Sequence, residues 1–389
     1  MKYKKILLFI FVISVLIGPI LINPVLIDAF PLYSPTWGFS LDLPEDYELT
    51  GGDTRDRFSF GSPDGAVFDL VVYAAQAGRQ APYPSVEALA RDVQARLRSS
   101  GNISFFEYRY KKAAVLELTF NVNNSQMTGW GLAIELKAGE PKLLLALAYS
   151  PARQRNLENL HLSALDSITP SQEDRLYPGP ITEFVYPREN RLALPLWGLE
   201  QEAWFFENDE DASQDLIERE FEVMKRYIDS PLWKEAWIRY YQTIYRDSYD
   251  RLANAAFIVE RSLNVPSLED RDFAGAALEW IQSFEYERNF EGSDFVNPVS
   301  AILDGRGDCD SNAMLFALIL NQANIPAAMM VSRVYSHAMA LADLPGPGAR
   351  FESGGKRWLV AETTADVPIG LISADMSDPN GWIGIMFPY

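Results

Sequence analysis

The chain of 389 residues holds one cysteine and two histidines. A single cysteine excludes an internal disulfide. With two histidines it also falls short of the nitrogen and sulfur ligands of a usual zinc site, so neither a metal nor a cofactor is expected. Positive charge is scarce as well: 34 Lys and Arg stand against 53 Asp and Glu, for a formal net charge of -19. That balance argues against nucleic acid and against anionic membrane surfaces, both of which attract basic patches. What is there, 48% hydrophobic and 13% aromatic residues, is ample for globular cores. The length is too great for one ordinary core, and two or three domains are expected.

Long apolar runs are missing except at the start. Residues 1–29 read as a signal or membrane anchor, because Lys2, Lys4 and Lys5 precede an apolar run from Ile6 to about Ile27. A run of about 20 residues suffices for one span. Ile27-Asp28-Ala29 fits a small-x-small cleavage site poorly, which favours an uncleaved anchor. The charge distribution places the remainder outside the cytoplasm, in a periplasm or at a cell surface.

Residues 34–170 read as an α+β domain. Phe39 to Leu43 alternates, Ala66 to Tyr73 is an apolar strand after the turn residues Pro63-Asp64-Gly65, and Ser85 opens a helix with Val86, Leu89, Ala90, Val93 and Leu97 on one face. Strands over 103–110, 113–122, 127–136 and 142–149 are joined by short polar turns, which predicts an antiparallel meander. A last helix covers 154–168. The order weakly resembles the PsbP/Mog1-type sandwich, with Phe39 to Pro44 as the local match. His161, in the last helix, has only Glu158 and Asp166 nearby and reads as a surface or satisfied residue. The expected job of this domain is contact with an envelope partner or with substrate.

Residues 171–200 read as a linker with short strands, since Pro170, Pro178 and Pro180 break it and Ile181 to Tyr186 and Arg191 to Leu199 are apolar enough to join a later sheet. From 201 to 389 a helical segment precedes what reads as the catalytic domain. The acidic run Glu207 to Asp211 caps a helix over 215–228. Ser230-Pro231 opens another, on which Trp233, Trp237, Tyr240, Tyr241, Ile244 and Tyr245 recur at helical spacing and read as core. A further helix begins at Ser267 to Asp270 and reaches Phe284.

The chemistry concentrates around Gly305-Arg306-Gly307-Asp308-Cys309-Asp310-Ser311. This segment runs into an apolar stretch over 313–320, so the cysteine starts a buried helix. There, unpaired backbone N–H groups and the positive end of the helix dipole favour the nucleophilic thiolate. His337 begins a strand on the face of Met339 and Leu341. Arg357 to Thr364 reads as a second strand, with Glu362 on the face of Trp358 and Val360. Antiparallel pairing across Pro345 to Gly355 then sets Glu362 opposite His337. A nucleophile, a base and an orienting carboxylate in that order follow the logic of cysteine acyl transfer.

Gly-Arg-Gly-Asp-Cys-Asp before an apolar helix, then Asn324-Ile325-Pro326-Ala327, a His-Ala strand and a Trp strand ending in acid-Thr, resemble the transglutaminase-like (papain-like) core. The resemblance covers residues 270–370. It implies a helix carrying Cys packed on an antiparallel sheet, a metal-free acyl-enzyme mechanism on peptide or isopeptide amides, and Cys309, His337 and Glu362 as triad. The family usually has Asp where this chain has the longer Glu362. For the oxyanion, the backbone N–H of Cys309 is one candidate donor, and the side chains of Asn297 or Trp280 are others, although a loop cap and a core residue are the simpler roles. Arg306 and Arg333 are candidates to offset Asp308 and Asp310, whose charge opposes thiol ionisation. Two functions follow: an extracytoplasmic thiol amidase or peptidase, or a non-catalytic envelope adaptor that keeps the fold.

Overall fold

A computed structural model describes residues 31–53, 55–75, 79–263, 269–288 and 292–388. The expected anchor over residues 1–29 lies outside the described residues. Among those described, no helix is long and apolar enough to cross a membrane. The architecture is α+β. The chain separates into two compact units, one reaching Arg175 and including Gly179–Val185, the other made of Leu176–Pro178 and Tyr186 onward.

The first unit is built on one antiparallel sheet of seven strands: β1 (Glu48–Gly52), β2 (Arg57–Gly61), β3 (Val67–Tyr73), β4 (Ile103–Tyr108), β5 (Lys111–Val122), β6 (Ser125–Glu135) and β7 (Leu143–Pro151), in the order β1-β2-β3-β7-β6-β5-β4. The expected meander is β4 to β7. β1 and β2 were not anticipated, because Gly51 and Gly52 and the polar Ser59 obscure their alternation. Helix α1 (Val86–Leu97) starts as read, with the Ser85 hydroxyl accepting from the Ala88 N–H at 3.2 Å. Its apolar face packs on Leu116, Leu118, Leu145 and Leu147. Helix α2 (Glu158–Asp166) lies against β6 and β7, and His161 on it is buried.

Ile181 to Tyr186, expected as a strand, is instead helix α3 (Pro180–Val185). Proline at the first helical position suits a helix start. The Asp166 carboxylate accepts from the Ile181 and Thr182 N–H groups at 2.8 and 2.9 Å, satisfying the orphan donors from far along the chain.

In the second unit, β8 (Arg191–Pro195) pairs antiparallel with β9 (Glu202–Phe206) as a separate two-stranded ribbon, not as part of the five-stranded sheet expected to receive it. Four helices follow: α4 (Asp209–Lys225), α5 (Trp233–Arg251), α6 (Ala253–Ser262) and α7 (Asp270–Gln282). Helix α4 begins six residues earlier than expected, so the acidic Asp209, Glu210 and Asp211 form its first turn instead of preceding it. Asp209 is buried against Arg251, with Nη1 and Oδ1 2.6 Å apart. On α5, Tyr240, Tyr241, Ile244 and Tyr245 are core residues as the stripe predicts.

The site is framed by β10 (Glu285–Tyr286), α8 (Pro298–Asp304), β11 (Arg306–Gly307), α9 (Cys309–Gln322), β12 (Ala327–Ser332), β13 (His337–Ala342), β14 (Arg350–Ser353), β15 (Lys356–Ala361) and β16 (Ile383–Ile385). The five longer-range strands form an antiparallel sheet ordered β14-β15-β13-β12-β16. Helix α9, apolar all round over residues 313–320, is buried between this sheet and helices α5, α6 and α7. The sheet face toward α9 carries Ala327, Met329, Ala338, Ala340, Leu359 and Ala361. The other face carries Met330, Met339, Leu341, Trp358, Val360 and Trp382. Small alanines on the inner face let the helix approach closely. The C-terminal segment packs back on the unit, with Phe387 stacked on Tyr245 at 4.0 Å.

Candidate functional site

Cys309 occupies the first position of α9. The helix is capped by Asp308, whose Oδ1 accepts from the Ser311 N–H at 2.8 Å and the Ser311 hydroxyl at 2.7 Å. Ser311 in turn accepts from the Val296 N–H at 3.0 Å, tying the preceding loop to the helix start. Gly305 ends α8 in the left-handed conformation, φ 64°, and an added Cβ there would lie 2.1 Å from the Trp197 ring. The glycine is therefore required both by backbone and by space. β11 then runs parallel to β10, placing Tyr286 level with Gly307.

His337 opens β13, and its Nε2 lies 2.7 Å from Glu362 Oε2. Their side chains are 14% and 10% exposed, so this contact is largely shielded from water. The sheet register differs from the expected one: Ala340 pairs with Ala361 and Leu341 with Val360, which sets His337 level with Thr364, two residues beyond Glu362. A shift of two keeps both side chains on the same face. The extra methylene of glutamate spans the diagonal. Its other oxygen, Oε1, accepts from the Thr364 N–H at 2.8 Å and the Thr364 hydroxyl at 2.7 Å. Burial pushes the Glu362 carboxyl up, but the hydrogen bond and charge of His337, with Thr364, outweigh it and hold the carboxyl below its ordinary value.

The pleat puts the His337 ring on the sheet face of Trp382, 6.3 Å away edge to face, while Cys309 belongs to the inner face. The backbone N–H of Ala338, in the peptide that follows His337, faces the Cys309 sulfur and favours its ionised form. The structure thus brings His337 and Glu362 into direct contact and seats the thiol against the His337–Ala338 peptide.

The charges around the sulfur oppose ionisation. Burial pushes the Cys309 thiol up, and Asp310 and Asp308 push it further, against the Ala338 N–H and Arg288. The sulfur and one oxygen of each carboxylate lie within 4.8 Å of one another. Asp308 is engaged as the cap, and Asp310 accepts from the Tyr241 hydroxyl at 2.9 Å, so the two acids form the electrostatic surroundings of the thiol and not a free ligand set. Neither expected arginine offsets them. Arg306 pairs with Glu287 and Asp304, and Arg333 reaches the Ile228 carbonyl. The cation that serves is Arg288, bound to Asp294 at 2.8 Å.

Both side-chain candidates for the oxyanion are committed elsewhere. Asn297 caps α8, its Oδ1 accepting from the Ser300 N–H at 2.9 Å while its amide nitrogen donates to Gln214 and to the Ser300 hydroxyl. The Trp280 indole N–H donates to the Trp197 carbonyl at 3.0 Å. The simpler roles, loop cap and core residue, are the ones observed. Residues beside the site that the sequence did not assign to it are Tyr241, read only as core, and Arg288, Thr364 and Gln282, whose amide bridges the Glu362 and Val367 carbonyls at 2.8 and 2.9 Å. Of these only Thr364 carried a signal, as the hydroxyl residue two places after the acid.

No protein-family profile matches the chain, and no curated protein matches it. Among solved structures, the cyanobacterial PsbP of Synechocystis sp. PCC 6803 is 10% identical, with 38% of this chain and 98% of that chain covered and a TM-score of 0.29. A protein from Cytophaga hutchinsonii, provisionally assigned as a cysteine protease, is 13% identical over 82% of this chain and 75% of its own, TM-score 0.25. A Bacteroides thetaiotaomicron VPI-5482 protein is 11% identical over 84% and 87%, TM-score 0.26. Likenesses this slight carry neither fold nor function.

Proposed function

We propose that the second unit is an extracytoplasmic thiol enzyme that cleaves peptide or isopeptide amides through a Cys309 thioester. The observation that carries this reading is the 2.7 Å His337–Glu362 contact, largely shielded from water, on the strand whose next residue, Ala338, turns its backbone N–H to the chain's only thiol. With Nε2–H donated to Glu362, the imidazole presents Nδ1 as the acceptor, which is the tautomer a general base needs. The Cys309 sulfur attacks the amide carbonyl carbon as its proton passes to His337. The tetrahedral intermediate collapses by breaking the C–N bond, and the amine leaves with the proton from the imidazolium. Water, deprotonated by His337, then attacks the thioester and regenerates the thiol. Because burial, and after it the surrounding acids, hold the thiol protonated, His337 acts during attack and does not merely accompany a standing thiolate. The Cys309 backbone N–H, in the first turn of α9, is the oxyanion donor this chain supplies. Hydrolysis is favoured over transamidation, since protecting the thioester from water requires a built amine channel.

The test is incubation with a peptide nitrophenyl ester followed by intact-mass measurement. A stoichiometric acyl adduct on Cys309, lost in Cys309→Ala and slowed in His337→Ala, supports the reading. No adduct with any acyl donor, together with full cellular function of Cys309→Ala, favours the adaptor that keeps the fold without the chemistry.

A further inference from the structure

Asp310 is the residue next to the nucleophile, and the mechanism above gives it no task. Its carboxylate lies within 4.8 Å of the Cys309 sulfur and of the Asp308 carboxylate, and it is held there by the Tyr241 hydroxyl at 2.9 Å, from a side chain of α5 that is itself buried. We propose that Asp310, anchored by Tyr241, competes with Cys309 for the negative charge that the site can hold beside His337, and so restrains the thiol. The inference rests on the role given to His337 above.

The charge inventory leads to this. Facing Asp310 from its own segment is Asp308, engaged as the helix cap. From the loop before α8 comes Asp294, neutralised by Arg288. From α5 come Tyr241 and Tyr240, both neutral phenols that burial and the nearby acids push well above their ordinary values. From β10 comes Tyr286, whose surroundings include Cys309. From β13 comes His337, which draws the Asp310 carboxyl down while already paired with Glu362. Against that pull, burial and then Asp308 push the Asp310 carboxyl up to about 7. Two unit charges at such a separation, with an effective dielectric of about 20, oppose each other by about two pH units or more. The thiolate and the Asp310 carboxylate therefore do not form together near neutrality. Ionisation of one proton carrier holds the proton on the other.

The experiment follows alkylation of Cys309 by iodoacetamide between pH 6 and 8 in the full chain, where one thiol gives one signal. Asp310→Asn keeps the shape and removes the competitor, so its rate at pH 7 is expected to rise at least tenfold. Tyr241→Phe withdraws a donor that stabilises the carboxylate, so its rate is expected to rise less, in the same direction. An equal or slower rate in a folded Asp310→Asn, checked by circular dichroism, overturns the proposal, because a carboxyl that supported the thiolate or only packed the helix would give that result. If Asp310→Asn does not fold, an unchanged or slower Tyr241→Phe overturns it instead. The comparison is repeated on His337→Ala. If His337→Ala alone leaves the wild-type rate unchanged, the enzyme reading fails, yet Asp310→Asn still accelerates alkylation in that background if the competition exists.

Discussion

Shortening Glu362 to aspartate, the residue usual at this position in the family that the motif resembles, is expected to harm this protein. Glutamate reaches His337 across a register offset of two residues, with Oε2 at 2.7 Å from Nε2 and Oε1 held by both Thr364 donors. Removing one methylene withdraws the carboxylate by about 1.5 Å, which takes the contact beyond hydrogen-bond range. The lost bond is charge-assisted and largely shielded, so its removal costs about 1.5–3 kcal/mol in the step that protonates the imidazole. That corresponds to a fall of about 10- to 100-fold in the acylation rate. Single-turnover acylation by a peptide nitrophenyl ester, with circular dichroism to confirm folding, measures it. Glu362→Gln keeps the length and loses the charge, and is expected to retain more rate than Glu362→Asp. An aspartate variant within twofold of the parent, or faster than the glutamine variant, would refute the geometric argument.

Two further predictions concern stability. Asp69 is buried under hydrogen bonds from the Ser59 hydroxyl at 2.6 Å and the Tyr149 hydroxyl at 2.8 Å, and burial raises its carboxyl to about 7 despite both. A raised folded value means stability is fully present below the unfolded value of about 4 and is lost as pH rises toward 7, by as much as about 4 kcal/mol; urea unfolding at pH 5 and pH 8 is expected to show about 3 kcal/mol of that loss and Asp69→Asn to abolish it, whereas an equal change with pH in both proteins would contradict it. Gly305→Ala places a methyl on the Trp197 ring at φ 64° and is expected to destabilise the second unit by about 2 kcal/mol, with a change under about 0.5 kcal/mol in urea unfolding counting against it.

Local signals were the legible part of the sequence. Ser85 and the i, i+3, i+4 apolar spacing placed α1 correctly, and the all-round apolar run after Cys309 gave a buried helix, because both depend only on neighbours along the chain. The His337–Glu362 contact was also foreseen, since strand parity fixes a face even when the register slips by two. Where the answer depends on distant residues, the reading failed. Pro180 to Val185 is helical because Asp166 caps it from outside the segment. β8 pairs with β9 within a local ribbon and does not join the five-stranded sheet. Asn297 and Trp280 turned out to be occupied by Gln214, Ser300 and Trp197, which lie outside their own sequence neighbourhoods or in the adjoining helix turn. The Tyr241–Asp310 bond joins α5 to the helix that begins at Cys309, and nothing in either segment alone announces it.

The most direct measurement of the central claim is the rate of alkylation of Cys309 at pH 7 in the wild type and in His337→Ala. If the imidazole, oriented by Glu362, takes the thiol proton, the rate is expected to fall at least tenfold on removing His337 and to recover only as the pH climbs toward the raised thiol value. A rate that is the same in both proteins across the pH range would mean that Cys309 and His337 do not act together, and would contradict the assignment of this site as an acyl-transfer centre.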